Sequence, residues 1–100
     1  MEKKKSHYEL RLIKRAFRSS LRLRMALAAR QSVHALGMNL RDVVFLVQTL
    51  KPEHFYKSMT SYRDHKIWQD VYHVPFKDFE LYLKITVDEE GYFIISLKEQ

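Results

Sequence analysis

A change of hydrophobic period at residue 54 predicts an α+β fold, with about three N-terminal helices packed on one face of a mostly antiparallel sheet. Before residue 54 the apolar residues recur at three-four spacing; after it they alternate with polar ones to the end of the chain, in short runs joined by short turns. One hundred residues, 46% of them hydrophobic, make a single domain over residues 1–100. A chain of that size has one core, burying roughly 65% of the surface it exposes when unfolded.

The first helix is predicted from about residue 7 to 19. Ser6 and Glu9 have the spacing of a capping box, Leu10, Ile13, Ala16 and Phe17 form an apolar stripe, and Arg11, Lys14, Arg15 and Arg18 form a basic one. Leu21 to Met25 alternates Leu-Arg-Leu-Arg-Met and reads as a short edge strand with outward arginines, or as a helical continuation. A second helix spans Ala26 to Leu36 and stops before Gly37, a residue free to take positive φ. Asn39 then caps a third helix whose face is Leu40, Val43, Val44, Val47 and Leu50, ended by Lys51-Pro52. Val43 to Val47 could be a buried strand by residue type, but the stops at both ends favour a helix.

Four strands follow, at about 54–61, 66–74, 79–87 and 92–98, the last two joined through Asp88-Glu89-Glu90-Gly91. Phe79, Leu81, Leu83, Ile85 and Val87 share one face of the third strand, and Phe93, Ile95 and Leu97 one face of the fourth. Those faces must meet the helices. Alternation then sends Glu80, Tyr82, Lys84 and Thr86, with Tyr92, Ile94, Ser96 and Lys98, to the open side. The first hairpin carries Lys57, Ser58, Gln69 and Asp70 where a purely structural hairpin could use Thr or Val. Choice of register can bring Lys57 and Gln69 to the open side, but alternation does not fix it.

Charge narrows the partners. Eleven Lys and Arg stand against three acids in residues 1–50 and seven against nine in residues 51–100, so a net +6 is concentrated in the first half. Such a field suits RNA or DNA, and would also attract anionic lipid or an acidic protein. No run approaches the ~18 apolar residues of a membrane span, and the lysines at 3 to 5 lead into no apolar leader segment. A cytoplasmic protein with no membrane partner is therefore expected. Without cysteine there is no disulfide framework or thiolate metal site, and two glycines cannot build a phosphate loop or a dinucleotide fingerprint. His54, His65 and His73 lack a recurring metal-ligand spacing, so neither a metal nor another cofactor is expected. Tyr56, Tyr62, Trp68, Tyr72 and Tyr92 are candidates for stacking on bases, although about half of such residues serve as core or sheet-pair aromatics.

The run from Phe55 to Tyr72 closely resembles the signature of the motility quorum-sensing regulator (MqsR-type) toxins of bacterial toxin–antitoxin systems. Tyr82 to Val87 and Ile94 to Glu99 resemble the last two strands of the same family, in the same order, and the resemblance is specific over residues 54–99. It implies a small ribonuclease-like fold related to the RelE toxins and metal-free cleavage of messenger RNA. It also implies a cognate antitoxin with a zinc-binding domain that engages the toxin and a helix-turn-helix domain that binds operator DNA, so that DNA is met only through the complex. Carried over by position, the cleavage residues are Lys57, Gln69, Tyr82 and Lys98, with Met59 beside them. Lys84 and the helix residues Arg11, Lys14, Arg15 and Arg18 are the further RNA-binding candidates. The resulting expectation is a sequence-selective endoribonuclease acting on single-stranded messenger RNA by 2′-hydroxyl attack. The alternative is a noncatalytic RNA-binding or repressor-complex subunit, in which the basic helix binds and the open sheet face is ordinary.

Overall fold

The computed structural model describes residues 1–100 and has the expected two layers. Three helices, α1 (Leu10–Ala16), α2 (Leu27–Ala35) and α3 (Leu40–Gln48), cover one face of a five-stranded sheet. Its strands are β1 (Glu2–Lys3), β2 (Phe55–Thr60), β3 (Trp68–Phe76), β4 (Phe79–Val87) and β5 (Phe93–Glu99). They lie side by side in chain order, every neighbouring pair antiparallel. Ile13 of α1 and Phe17 just after it, Val33 of α2 and Val43, Leu46 and Val47 of α3 bury against Leu81, Leu83 and Ile85 of β4 and Ile95 and Leu97 of β5 in one apolar cluster. This is the face that alternation assigned to the core. Its opposite is left without a covering layer.

The caps read from the sequence hold for the second and third helices. Gly37 takes φ +72 after α2, and the Met38 amide reaches back to the Val33 carbonyl at 3.0 Å, which satisfies a carbonyl that the helix leaves without a partner. Asn39 Oδ1 accepts from the Asp42 amide while Asp42 Oδ2 accepts from the Asn39 amide, both at 2.9 Å. That reciprocal pair starts α3 and settles the choice between helix and strand at Val43 to Val47.

The first helix is shorter than its periodicity suggests. Ser6 does not cap it; α1 begins at Leu10 with Glu9 as its N-terminal boundary and no side-chain cap. The amides of His7 and Tyr8 are committed elsewhere, to the buried carboxylate of Asp70, with His7 at 3.0 Å from each oxygen and Tyr8 at 2.9 Å from Oδ2. A strand residue thus fixes the segment before the helix. The expected strand at Leu21 to Met25 is reduced to a three-residue 3₁₀ turn, Ser20–Arg22, and one parallel bridge between Met25 and Ile95. The short edge strand of the sheet is instead β1, paired with β2 through Glu2 to Met59 and Lys3 to Ser58.

β3 begins two residues later than expected and continues through Pro75 to Phe76. Pro75 pairs with Glu80 on β4, but β2 ends its ladder at Phe55 opposite Tyr72, so on that side no partner strand asks Pro75 for an amide hydrogen. No helix is long and apolar enough to cross a membrane.

Candidate active site

A bulge in β2 decides which side chains share the open face. Phe55 pairs with Tyr72, yet Lys57 pairs with Val71, so Tyr56 is an extra residue and the alternation turns over there. Phe55 consequently packs inward against Tyr72, ring centroids 5.6 Å apart, while Lys57 and Tyr56 both emerge on the open side. The register of the remaining strands then builds two adjoining rows across the sheet. One contains Lys57, Val71, Lys84 and Ser96; the next contains His73, Tyr82 and Lys98.

The rows enclose a shallow depression of about 260 Å³, lined by Tyr56, Lys57, Met59, Val71, Tyr82, Lys84 and Lys98. Of the sequence candidates, Lys57, Met59, Tyr82, Lys84 and Lys98 are brought together here. Gln69 faces the same side, opposite Met59, but opens into an adjoining depression of about 290 Å³ with Thr86, Ser96 and Lys84. Lys84 is common to both. Arg11, Lys14, Arg15 and Arg18 follow α1 on the other layer, Lys14 half-buried and the three arginines exposed. They are not part of this cluster.

Ser58 and Asp70, grouped by sequence with the functional side chains of the hairpin, pair with each other on the buried side and are inaccessible to solvent. Their neighbours Lys57 and Gln69 take the open side for the same reason of alternation. Among the aromatic candidates, Tyr72 is core, and Trp68 stacks on His7 with centroids 5.4 Å apart and Lys3 Nζ 4.1 Å from its ring. Tyr56, Tyr62 and Tyr92 remain exposed. The histidines do not converge. His54 Nδ1 accepts from the Lys51 amide, His65 is exposed, and no three His, Asp or Glu side chains come together as a metal site would require.

Two residues enter the site that sequence reasoning left out. His73 lies between Tyr56 and Tyr82, its ring centroid 4.2 Å and 4.6 Å from theirs, so it packs against both phenols. The strand pattern could have found it, since His73 is two residues from Val71 on one face. Glu2 forms an ion pair with Lys57 from the edge strand β1. Fifty-five positions separate them, and nothing local announces the pairing.

The lysines differ in their electrostatics. Lys57 is pushed up from the ordinary lysine value, first by its hydrogen bond to Glu2 and then by the charge of that carboxylate. Lys84 is pushed down, first by partial burial and then by repulsion from Lys98 and Lys57. Lys98 Nζ lies 5.9 Å from the Tyr82 ring and Lys57 Nζ 5.3 Å from the Tyr56 ring, so each ammonium is held near an aromatic face. Three cations and two phenols around one open hollow are suited to a ligand that is anionic and planar in alternate parts.

Fold and site together define a small, basic α+β protein with a cation and phenol cluster on an uncovered sheet face. The chain matches the family described as "Motility quorum-sensing regulator, toxin of MqsA" over residues 5–99. It is 36% identical to "mRNA interferase toxin MqsR" of Escherichia coli (strain K12), over 100 residues that span the whole of both chains. The chain belongs to the motility quorum-sensing regulator toxin family.

Proposed function

We infer that the protein is a sequence-selective endoribonuclease toxin, cleaving single-stranded messenger RNA without a metal and restrained by an antitoxin of the MqsA kind. The observation that carries this reading is the convergence of Lys57, Tyr82, Lys84 and Lys98 on one depression. The 36% identical relative is named an mRNA interferase toxin, which supports the same substrate class.

Cleavage without a metal needs a base for the ribose 2′-hydroxyl, cations for the doubly charged phosphorane and an acid for the departing 5′-oxygen. This chain supplies protonic groups for each role. Lys57 and Lys98 are assigned to the phosphorane, as fixed cations from opposite sides of the hollow. Tyr82 is assigned to the leaving oxygen as proton donor, and Gln69 to positioning the adjoining nucleotide from the second depression. Met59 and Tyr56 offer apolar and aromatic surface to a base. The products are a 2′,3′-cyclic phosphate and a 5′-hydroxyl.

The antitoxin implied by the family resemblance carries a zinc-binding domain for the toxin and a helix-turn-helix domain for operator DNA. An exposed basic surface is consistent with an acidic or polar partner covering it. Expression of the chain alone is expected to arrest growth, with rescue by the product of an adjacent gene. The deciding experiment incubates purified protein with a defined RNA in EDTA and maps the ends. Cyclic phosphate and 5′-hydroxyl termini at recurrent sequences are expected; RNA left intact, or ends bearing 5′-phosphate, would overturn the reading.

A noncatalytic RNA binder is favoured by one observation, the basic stripe of α1 outside the site. That reading expects only a graded fall in affinity when Lys57 or Lys98 is removed.

A further inference from the structure

Lys84 stands where the two depressions of the open face meet, shared between Lys57, Tyr82 and Lys98 on one side and Gln69, Thr86 and Ser96 on the other. Its direct cross-strand neighbours are Val71 on β3 and Ser96 on β5, one apolar and one small, so no carboxylate is placed to hold its proton. Two successive nucleotides seated in the two hollows would carry their linking ribose and phosphate across this residue. We propose that Lys84 is the catalytic residue that accepts the proton of the ribose 2′-hydroxyl. This rests on the endoribonuclease reading above.

The charged and titratable groups around it favour the neutral amine. β2 contributes Lys57, with Tyr56 beside it, and β5 contributes Lys98. β3 contributes no charge at Val71 or Gln69 and His73 in the adjoining row, and β4 contributes Tyr82 on one side and Thr86 on the other. The carboxylate one ladder position away, Asp70 on β3, lies on the opposite, buried face and accepts from the His7 and Tyr8 amides; Glu80 is four residues along β4, and Glu2 is engaged by Lys57. Partial burial acts in the same direction, and the ordinary lysine value is lowered by both causes. Lys57 is the opposite case: its carboxylate partner keeps it charged, which suits a phosphate cation and not a base.

In the proposed step the lone pair of the Lys84 amine takes the 2′-hydroxyl hydrogen and the freed 2′-oxygen forms a bond to phosphorus. The bond from phosphorus to the 5′-oxygen breaks, and that oxygen takes the proton of Tyr82. Lys84 ends as an ammonium and Tyr82 as a phenolate, and exchange with water returns both to their starting forms. No water is consumed, which agrees with a cyclic phosphate product.

The test is single-turnover cleavage of a defined RNA by the wild-type chain and by Lys84→Arg, across about pH 6 to 9. Arginine keeps the cation but does not give up its proton in that range. The wild-type rate is expected to rise with pH; in Lys84→Arg cleavage should fall by about 10²-fold or more and that rise should vanish. Affinity for an oligonucleotide with a 2′-deoxy residue at the cleavage position, which cannot react, should not fall, because arginine sets a permanent cation where the amine stood. A second variant, Lys84→Ala, removes the possibility that the larger guanidinium merely disturbs the sheet. Added ethylamine should restore part of its cleavage. A Lys84→Arg variant that keeps the wild-type pH dependence overturns the assignment, as does a folded, RNA-binding Lys84→Ala chain that amines do not rescue. RNA left intact by the wild type overturns the endoribonuclease reading itself, which is a distinct result.

Discussion

The extra residue at Tyr56 reverses the alternation of β2, so that Phe55 joins the core and Lys57 reaches the hollow shared with Tyr82 and Lys98. Because Lys57 and Lys98 project from strands toward solvent, truncating either leaves no buried cavity. Lys57→Ala and Lys98→Ala are each expected to slow cleavage by about 10²-fold or more while circular dichroism stays unchanged, the scale of losing a group that stabilises developing charge. A folded variant that cleaves at the wild-type rate removes that lysine from the mechanism. At this scale the sequence was informative in part. Strict alternation from Phe79 onward assigned Tyr82, Lys84 and Lys98 to the open side directly, because their strands run without interruption. It could not assign Lys57, since a bulge depends on pairing with β3 and leaves no mark in the local pattern. Nor could it separate Asp70 from Gln69; both are polar, and only the amides of His7 and Tyr8 reveal what the buried carboxylate does.

Elements differ in how far their own residues determine them. The second and third helices carry their boundaries in Gly37 and in the Asn39–Asp42 pair, and both were legible. The start of α1 was not, because Asp70 of β3 takes the amides of His7 and Tyr8, the first two of a helix that would have begun after Ser6. Replacing Asp70 with Asn leaves one acceptor oxygen for those amides and puts an NH₂ group against them. A loss of about 1–3 kcal/mol is expected from the buried donors left unpaired, read as a lower denaturant midpoint at unchanged slope. The edge strand β1 was illegible for a different reason: two residues have no periodicity. Its Glu2 is held below its ordinary 4.5 by Lys57, and Lys57 above its ordinary 10.5 by Glu2. The carboxylate's contribution is present above 4.5 and fades as pH falls through the lowered value. That of the ammonium is present below 10.5 and fades as pH rises through the raised one. Between those limits the pair persists and competes with RNA phosphate for Lys57. Glu2→Gln should therefore tighten RNA binding and steepen its salt dependence, by roughly 0.7 of a log–log unit if Lys57 then neutralises one more phosphate. An unchanged slope in salt titrations would mean that Glu2 does not compete.

On the whole molecule, the helices and the candidate site occupy opposite layers, so α1 and the hollow meet one RNA only if the strand passes round an edge of the sheet. Replacing Arg11, Lys14, Arg15 and Arg18 with Gln should weaken RNA binding and flatten its salt dependence by roughly 0.7 of a log–log unit for each phosphate that is no longer neutralised. Cleavage at saturating RNA should persist, because binding shared by ground and transition states does not alter the chemical step. Salt titrations with unchanged slope would leave the stripe as a solvated helix face. The concentration of positive charge in residues 1–50 was plain from composition, whereas the separation of layers depends on long-range pairing that composition does not encode. β4 is bonded along its length to β3 and β5, and its inward residues Leu81, Leu83 and Ile85 have no solvent exposure. Peptide deuterium should accordingly enter the β4 amides only through global opening, and enter β1 through local fraying. Tyr82 and Lys84 are thus carried by a strand that is paired on both edges and buried on its inner face. Under rising denaturant, activity and folded fraction should fall together, and a partner that silences the hollow must do so by occluding it while the strands beneath stay intact.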